Sequence, residues 1–127
     1  MENYALNLNP KKSAKCYGKA LRISTKSSVI VCRKVSGMNL QKGKRLLQDI
    51  VDEKRSIDGK FYTNTTKSIL EIIKSAEANA EFKGLDSSRM IIFASAHTGF
   101  TFMRPRRMKM RRTQRKMTNI QVVLQQK

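Results

Sequence analysis

Between Arg104 and Lys116 the chain carries eight arginines or lysines and no acid. Like charges at that density repel one another, so the segment cannot pack into a core of its own and needs a polyanion beside it. Apolar residues flank it on both sides. Met90, Ile91, Ile92 and Phe93 run together before it, and Ile120, Val122 and Leu124 follow at every second position. Both flanks read as β-strands. The pattern predicts a basic arm held at both ends by a small sheet.

The remaining charge sharpens this reading. Lys and Arg number 27 against nine acids, a net charge of +18, and such an excess points to an acidic partner, nucleic acid or less often an anionic membrane. All nine acids lie at or before Asp86, while residues 87–127 hold ten bases. A length of 127 residues allows one domain with one modest core. Cys16 and Cys32 read as two reduced thiols, because nothing else points to an oxidising compartment. With His97 they fall short of the four ligands of a structural zinc, so no metal is expected. No stretch is apolar enough to span a membrane, and the N-terminus lacks the apolar core of a signal peptide. A cytosolic or nuclear location follows.

Along the chain, residues 1–19 read as an irregular basic arm whose Lys11, Lys12, Lys15 and Lys19 lie on phosphates. A short first strand is predicted at Ala20–Ile23, with Arg22 joining the phosphate-contacting set. A helix from about Lys26 to Ser36 is capped by Ser24 or Thr25 and sets Val29 and Ile30 against Arg33 and Lys34. Gly37 ends it. Asn39 caps a second helix, Leu40 to Arg55, with a buried stripe of Leu46, Leu47, Ile50 and Val51. Lys42, Lys44 and Arg45 crowd its first turn, where the helix dipole disfavours cations. That mismatch fits either a nearby anion or a solvated basic face.

Asp58-Gly59 centres a turn. A third helix runs from an Asn64 or Thr65 cap to about Lys83, burying Ile69, Ile72, Ile73, Ala76 and Ala80. Its acids Glu71, Glu77 and Glu81 pair with Lys67 and Lys74 at helical spacing. Asn79 is either exposed or makes a polar contact. Gly84-Leu85 stops the helix.

Beyond Asp86 the apolar period drops to two. Met90–Ala96 reads as a strand buried on both faces and Thr118–Gln125 as its antiparallel partner. Residues 99–117 between them form a hairpin with about nine residues per leg. At about 3.3 Å per residue its tip stands roughly 30 Å from the body, with Pro105 interrupting the ladder. Within it, Met108 and Met110 alternate with Arg107, Lys109 and Arg111, so an extended chain separates thioethers from cations. Arg104, Arg106, Arg112, Arg115 and Lys116 complete the set. Arginine's planar fork suits phosphate and base stacking alike. A solvated loop or a nuclear-import signal shares this composition, but an import signal needs no strand on either side. His97, at the arm's base, has no acid after Asp86 to serve it, which favours a structural or RNA-contacting role. No glycine-rich phosphate loop and no enzyme signature are present, and no cofactor or small-molecule substrate is expected.

The segments KSAEANAEFKGLD (74–86), ALRIS (20–24), VSGMNLQKGKRLLQDI (35–50) and MRPRRMKMRR (103–112) together resemble a universal large-subunit ribosomal protein family. It is called L-twenty-two in bacteria and L-seventeen in eukaryotes, and the likeness is to the archaeal and eukaryotic branch. The resemblance spans about Tyr4 to Leu124. It implies an α+β fold: three helices packed on a small antiparallel sheet, with a long basic β-hairpin extension. On that frame, residues 20–98 and 118–127 are the body of a single domain and 99–117 the extension. It further implies a structural constituent of the large subunit in the cytoplasm, not an enzyme. Such a protein bridges rRNA segments near the nascent-peptide exit tunnel and touches neighbouring ribosomal proteins. Met108, Lys109, Met110 and Arg111 would lie nearest the tunnel, with the nascent polypeptide at the hairpin tip. Against eukaryotic members, the SIDGKFYT connection (56–63) is short, the chain ends at Lys127 without a tail, and the arm is a few residues shorter without a glycine at its tip. Two other classes fit the charge: a free-standing basic nucleic-acid-binding regulator, and an RNA-processing enzyme, which would need an acid or metal site beside the basic face.

Overall fold

Each helix forms where apolar residues recur every three or four positions. In the computed structural model, which describes residues 4–6, 8–103, 109 and 112–127, the order is β1 (Ser13–Leu21), α1 (Thr25–Val35), α2 (Leu40–Val51), α3 (Thr63–Phe82), β2 (Met90–Met103) and β3 (Gln114–Gln126). The strands form one antiparallel sheet in the order β1-β3-β2. Ala14, Ile92, Ile120, Val122 and Leu124 on one sheet face join the buried helix residues in a single core. Three helices on a three-stranded antiparallel sheet make the fold α+β, as expected.

Several boundaries differ from expectation. The first strand begins at Ser13, not Ala20, and takes up ground read as irregular arm. The lysines there alternate with inward residues. Ala14, Cys16 and Gly18 stand in register with Leu124, Val122 and Ile120 of β3, so Lys15 and Tyr17 turn to the other face. In α1 the buried stripe is Ser28, Val31, Cys32 and Val35, while Val29 and Ile30 are half-buried. Ser28 is tolerated inside because its Oγ donates to the Ser24 carbonyl at 2.8 Å.

Helix α2 stops at Val51 rather than Arg55, capped at its start by Asn39, whose Oδ1 accepts from the Gln41 amide at 3.1 Å. Its core residues are Leu40, Gly43, Leu47 and Ile50, with Leu46 and Val51 half-buried. Helix α3 starts earlier than Asn64, behind Tyr62 in the left-handed region (φ 45°) and without a side-chain cap. Thr65 and Thr66 face the core instead.

The far end of α3 follows the sequence closely. The Gly84 amide donates to Glu81 O (2.9 Å) and the Leu85 amide to Ala80 O (3.0 Å), which is the paired pattern of a Schellman stop. Gly84 takes φ +71° there. The Asp58-Gly59 turn has both residues at positive φ, 50° and 77°, between two reciprocal bonds linking Ile57 and Lys60, and this tight turn tucks Ile57 into the core.

The burial expected on both faces of β2 belongs to β3. Gln121, Val122, Val123 and Leu124 are all buried, because β3 is the middle strand and is covered on its outer face too. There the Ala5 amide donates to Gln121 Oε1 at 2.9 Å. In β2, Met90 and Ile92 are buried and Ile91 and Phe93 only half so.

Both outer strands are met by groups from the helical layer. Asn79 Nδ2 donates to the Lys15 carbonyl (3.1 Å) and Lys83 Nζ to the Ser13 carbonyl (3.0 Å) of β1, which settles Asn79 as a contact to the sheet. Along β2, the Gly37 amide donates to Ile92 O (2.7 Å) and the Ile92 amide to Met38 O (2.9 Å). The cations at the start of α2 find part of their answer within the chain. Lys44 Nζ lies 2.6 Å from Glu77 Oε2, both half-buried. Glu77 therefore ties α2 to α3 rather than pairing along its own helix.

Cys32 is enclosed in the core and burial pushes its thiol up to about 12 from the ordinary 9.0. Its contribution to stability is intact below about pH 9 and is lost as pH rises from 9 toward 12, since in that window only the unfolded thiol ionises. Cys32→Ala, less stable at pH 7 for lost packing, should show a shallower alkaline decline. Urea midpoints of both proteins from pH 8 to 11 check this.

Candidate nucleic-acid interface

Strands β2 and β3 continue where β1 has ended. The last partner of β1 is Leu21↔Thr118, whereas β2 and β3 go on through Thr101↔Lys116, Phe102↔Arg115 and Met103↔Gln114. This places cations and aromatics on one exposed ribbon. Phe100 is 68% exposed, Phe102 36% and Met103 59%. Arg22, Ser24, Phe102, Arg115, Lys116 and Met117 surround a shallow cavity of about 460 Å³ at the ribbon's root. No acid follows Asp86 in the chain, so β2 and β3 supply no negative charge here. A cavity with three cations and an aromatic wall suits a phosphate and a flat ring.

Two irregularities face neighbouring points of β3, that of β1 opposite Asn119 and that of β2 opposite Met117. Strand β1 shifts register between Gly18 and Leu21, and β2 between Thr98 and Thr101. Thr118 stands between these two points. Ala20 adopts φ 54° and its amide donates to Asn119 Oδ1 at 2.8 Å. Thr118 Oγ1 donates to Ile23 O at 2.8 Å and meets Thr25 Oγ1 at 2.8 Å. On the other side Gly99 gives Asn119 room. A Cβ added to Gly99 would stand 2.6 Å from Asn119 Oδ1 and 2.8 Å from its Cγ. Bulges bend a strand and increase its twist, and Asn119 touches a residue of each.

The predicted site residues fall into separate groups. Arg22, Arg115 and Lys116 converge at the root. Lys11 and Lys12 lie exposed at the opposite end of β1, on a tight turn closed by the Lys12 amide to Asn9 O (3.1 Å) and the Lys11 amide to Asn9 Oδ1 (3.2 Å). Lys15 is half-buried, with Nζ 5.0 Å from the centre of the Tyr4 ring. Lys19 is exposed beside the β1 bulge, and Lys109 and Arg112 are exposed. Arg104, Arg106, Arg107, Met108, Met110 and Arg111 lie outside the described residues, and with them Pro105, the separation of thioethers from cations and the tunnel-proximal tip. His97 is exposed on β2, its Nε2 3.4 Å from Tyr17 Oη, and Tyr4 meets Tyr17 edge-on at 6.1 Å between ring centres.

Sequence reasoning passed over Phe82, Phe100, Phe102 and the Tyr17–His97 pair. For Phe100 and Phe102 the signal was there: Phe-Thr-Phe extends the two-residue period of β2 past Ala96, where the strand was expected to end. Among the described residues, no three of His, Cys, Asp and Glu gather as a metal site, and no helix is long and apolar enough to cross a membrane.

A small α+β body, strongly cationic and extended by a two-stranded ribbon of bases and exposed aromatics, defines a basic protein of the nucleic-acid-binding class. The chain belongs to the ribosomal protein L22p/L17e family, whose model matches residues 16–125. It is similar to the large ribosomal subunit protein uL22 of Methanococcus aeolicus, 30% identical over 122 residues and 80% of each chain. The uL22 of Methanocella arvoryzae is 32% identical over 111 residues, 72% of each chain, and that of Methanocaldococcus jannaschii 28% over 121 residues, 80% of this chain and 78% of its own. The family is structural, not enzymatic.

If Asn119 fills the space that Gly99 leaves, Gly99→Ala should cost about 1–3 kcal/mol, the usual price of forcing a methyl into a filled site. The cost should shrink when Asn119→Ala has first removed the obstructing atoms. Urea unfolding of the two single variants and the double variant measures the coupling.

Proposed function

We propose that this protein is a structural constituent of the large ribosomal subunit, where it binds rRNA and holds separate rRNA segments together. The observation that carries the reading is the acid-free ribbon of β2 and β3, which bears Arg115 and Lys116 and brackets the basic segment 104–112, on a body that belongs to the L22p/L17e family. Its cations neutralise phosphates that would otherwise repel one another as RNA segments close in. Binding in turn offsets the charge repulsion within residues 104–116. Arg22, Arg115 and Lys116 act at the root, while Arg104, Arg106, Arg107, Lys109, Arg111 and Arg112 act along the arm. Lys19 acts beside the root, while Lys11, Lys12 and Lys15 act further along the body and engage a different RNA segment.

The family resemblance supports a finer placement. The arm runs beside the nascent-peptide exit tunnel, and Met108, Lys109, Met110 and Arg111 form part of its wall, within reach of the nascent polypeptide. Neighbouring ribosomal proteins complete the surroundings, in the cytoplasm.

Changing Arg107, Lys109, Arg111 and Arg112 together to Gln should hinder incorporation into large subunits while leaving the unfolding midpoint of the body unchanged. The wild-type chain should bind rRNA with a steep salt dependence, each phosphate contact adding roughly 0.7–0.9 to the slope of log K against log salt. The fourfold variant should lose up to about four contacts' worth of that slope. Normal incorporation of the variant would remove the arm's role. Absence of the wild-type chain from large subunits after a high-salt wash would favour a free-standing regulator instead.

A further inference from the structure

Phe82, the last residue of α3, is 95% exposed, far more than any other large apolar side chain among the described residues. It projects beside Pro10 over a shallow cavity of about 320 Å³ floored by Asn79 and Lys83. Everything around it is pinned. Asn79 and Lys83 are bonded to the carbonyls of Lys15 and Ser13. The backbone after Phe82 is held by the Gly84 and Leu85 amides. The Pro10 turn is closed through both the backbone and the side chain of Asn9. That turn presents Lys11 and Lys12, both exposed. Glu81 and Asp86 are the acids nearest in sequence, and neither lines the cavity.

A fully exposed aromatic ring on a pinned stretch of backbone, next to a closed turn that presents two exposed lysines, has the chemistry of a stacking platform for single-stranded nucleic acid. The polar floor and the cationic rim disfavour an apolar peptide. A duplex would hide its base faces from the ring. We propose that Phe82 and the Pro10 turn form a second RNA site, where one unpaired nucleobase stacks on the Phe82 ring and the adjoining phosphates lie against Lys11 and Lys12. The site stands at the end of β1 away from the ribbon's root. It deepens the ribosomal reading, on which it rests, by naming what the body holds: an unpaired nucleotide of rRNA rather than a helix.

The test uses the full chain and a single-stranded oligoribonucleotide carrying 2-aminopurine, whose fluorescence falls when the base stacks. The wild type and Phe82→Tyr should quench it, whereas Phe82→Ala and Phe82→Leu should bind about fivefold or more weakly and lose the quenching. All three variants should melt with the wild type, since the side chain covers nothing. Equal quenching by Phe82→Ala or Phe82→Leu would overturn the site. A photoreactive benzophenone amino acid at position 82, introduced in cells, gives the second readout. A cross-link to rRNA in sedimented large subunits supports the site. A chain that sediments with the subunit but cross-links there to protein, or to nothing, overturns the site and leaves the ribosomal reading standing. A chain absent from the subunit overturns both.

Discussion

One strand has to live in two environments. Over Gln121–Leu124, β3 is hydrogen-bonded on both edges and covered on both faces. A few residues earlier, over Gln114–Lys116, it is exposed and cationic. Ile120, Val122 and Leu124 are fully buried, each worth about 1.5–3 kcal/mol over leaving it in water. The core therefore anchors the ribbon through continuous backbone. The hinge between the two environments is not left to a loop. Asn119, which bonds the Ala20 amide on one side and packs against Gly99 on the other, lies two residues after Met117, where burial gives way to exposure.

Charge divides the molecule along the same line. The ion pairs among the described residues sit on the helical side: Lys44–Glu77 joins α2 to α3, and Lys54–Asp52 lies just after α2. The first is half-buried and short, and it contributes to how the helices dock. The second is exposed, and such pairs contribute about 0–1 kcal/mol. Beyond Asp86 the chain has bases and no acids, so the ribbon finds no counter-charge within its own strands.

Much of this was legible in the residues, and where it was not the reason is physical. The stripe of α3, the Schellman stop at Gly84, the cap at Asn39 and the Asp58-Gly59 turn each depend on contacts within a few positions, and each stands as read. The start of α3 was misplaced because Tyr62 enters the helix from a left-handed backbone that sequence does not advertise. The early start of β1 was hidden by its lysines, whose charge drew attention away from the alternation of Ala14, Cys16 and Gly18. That β3, not β2, is the twice-covered strand depends on β1 pairing with its far side, a contact across about a hundred residues. The basic character of the site was plain from composition. The convergence of Arg22 with Arg115 and Lys116 was not, because it exists only once β1 and β3 are paired.

The two outer strands carry a consequence of their own. The carbonyls of Ser13 and Lys15 are taken by Lys83 and Asn79, and the Ile92 amide and carbonyl by Met38 and Gly37. An open sheet edge is a template for another chain, and proteins blunt such edges to avoid aggregation. Here the stoppers come from the end of α3 and from the connection between α1 and α2. At these positions the body's outer strands offer a second copy no free backbone group to pair with.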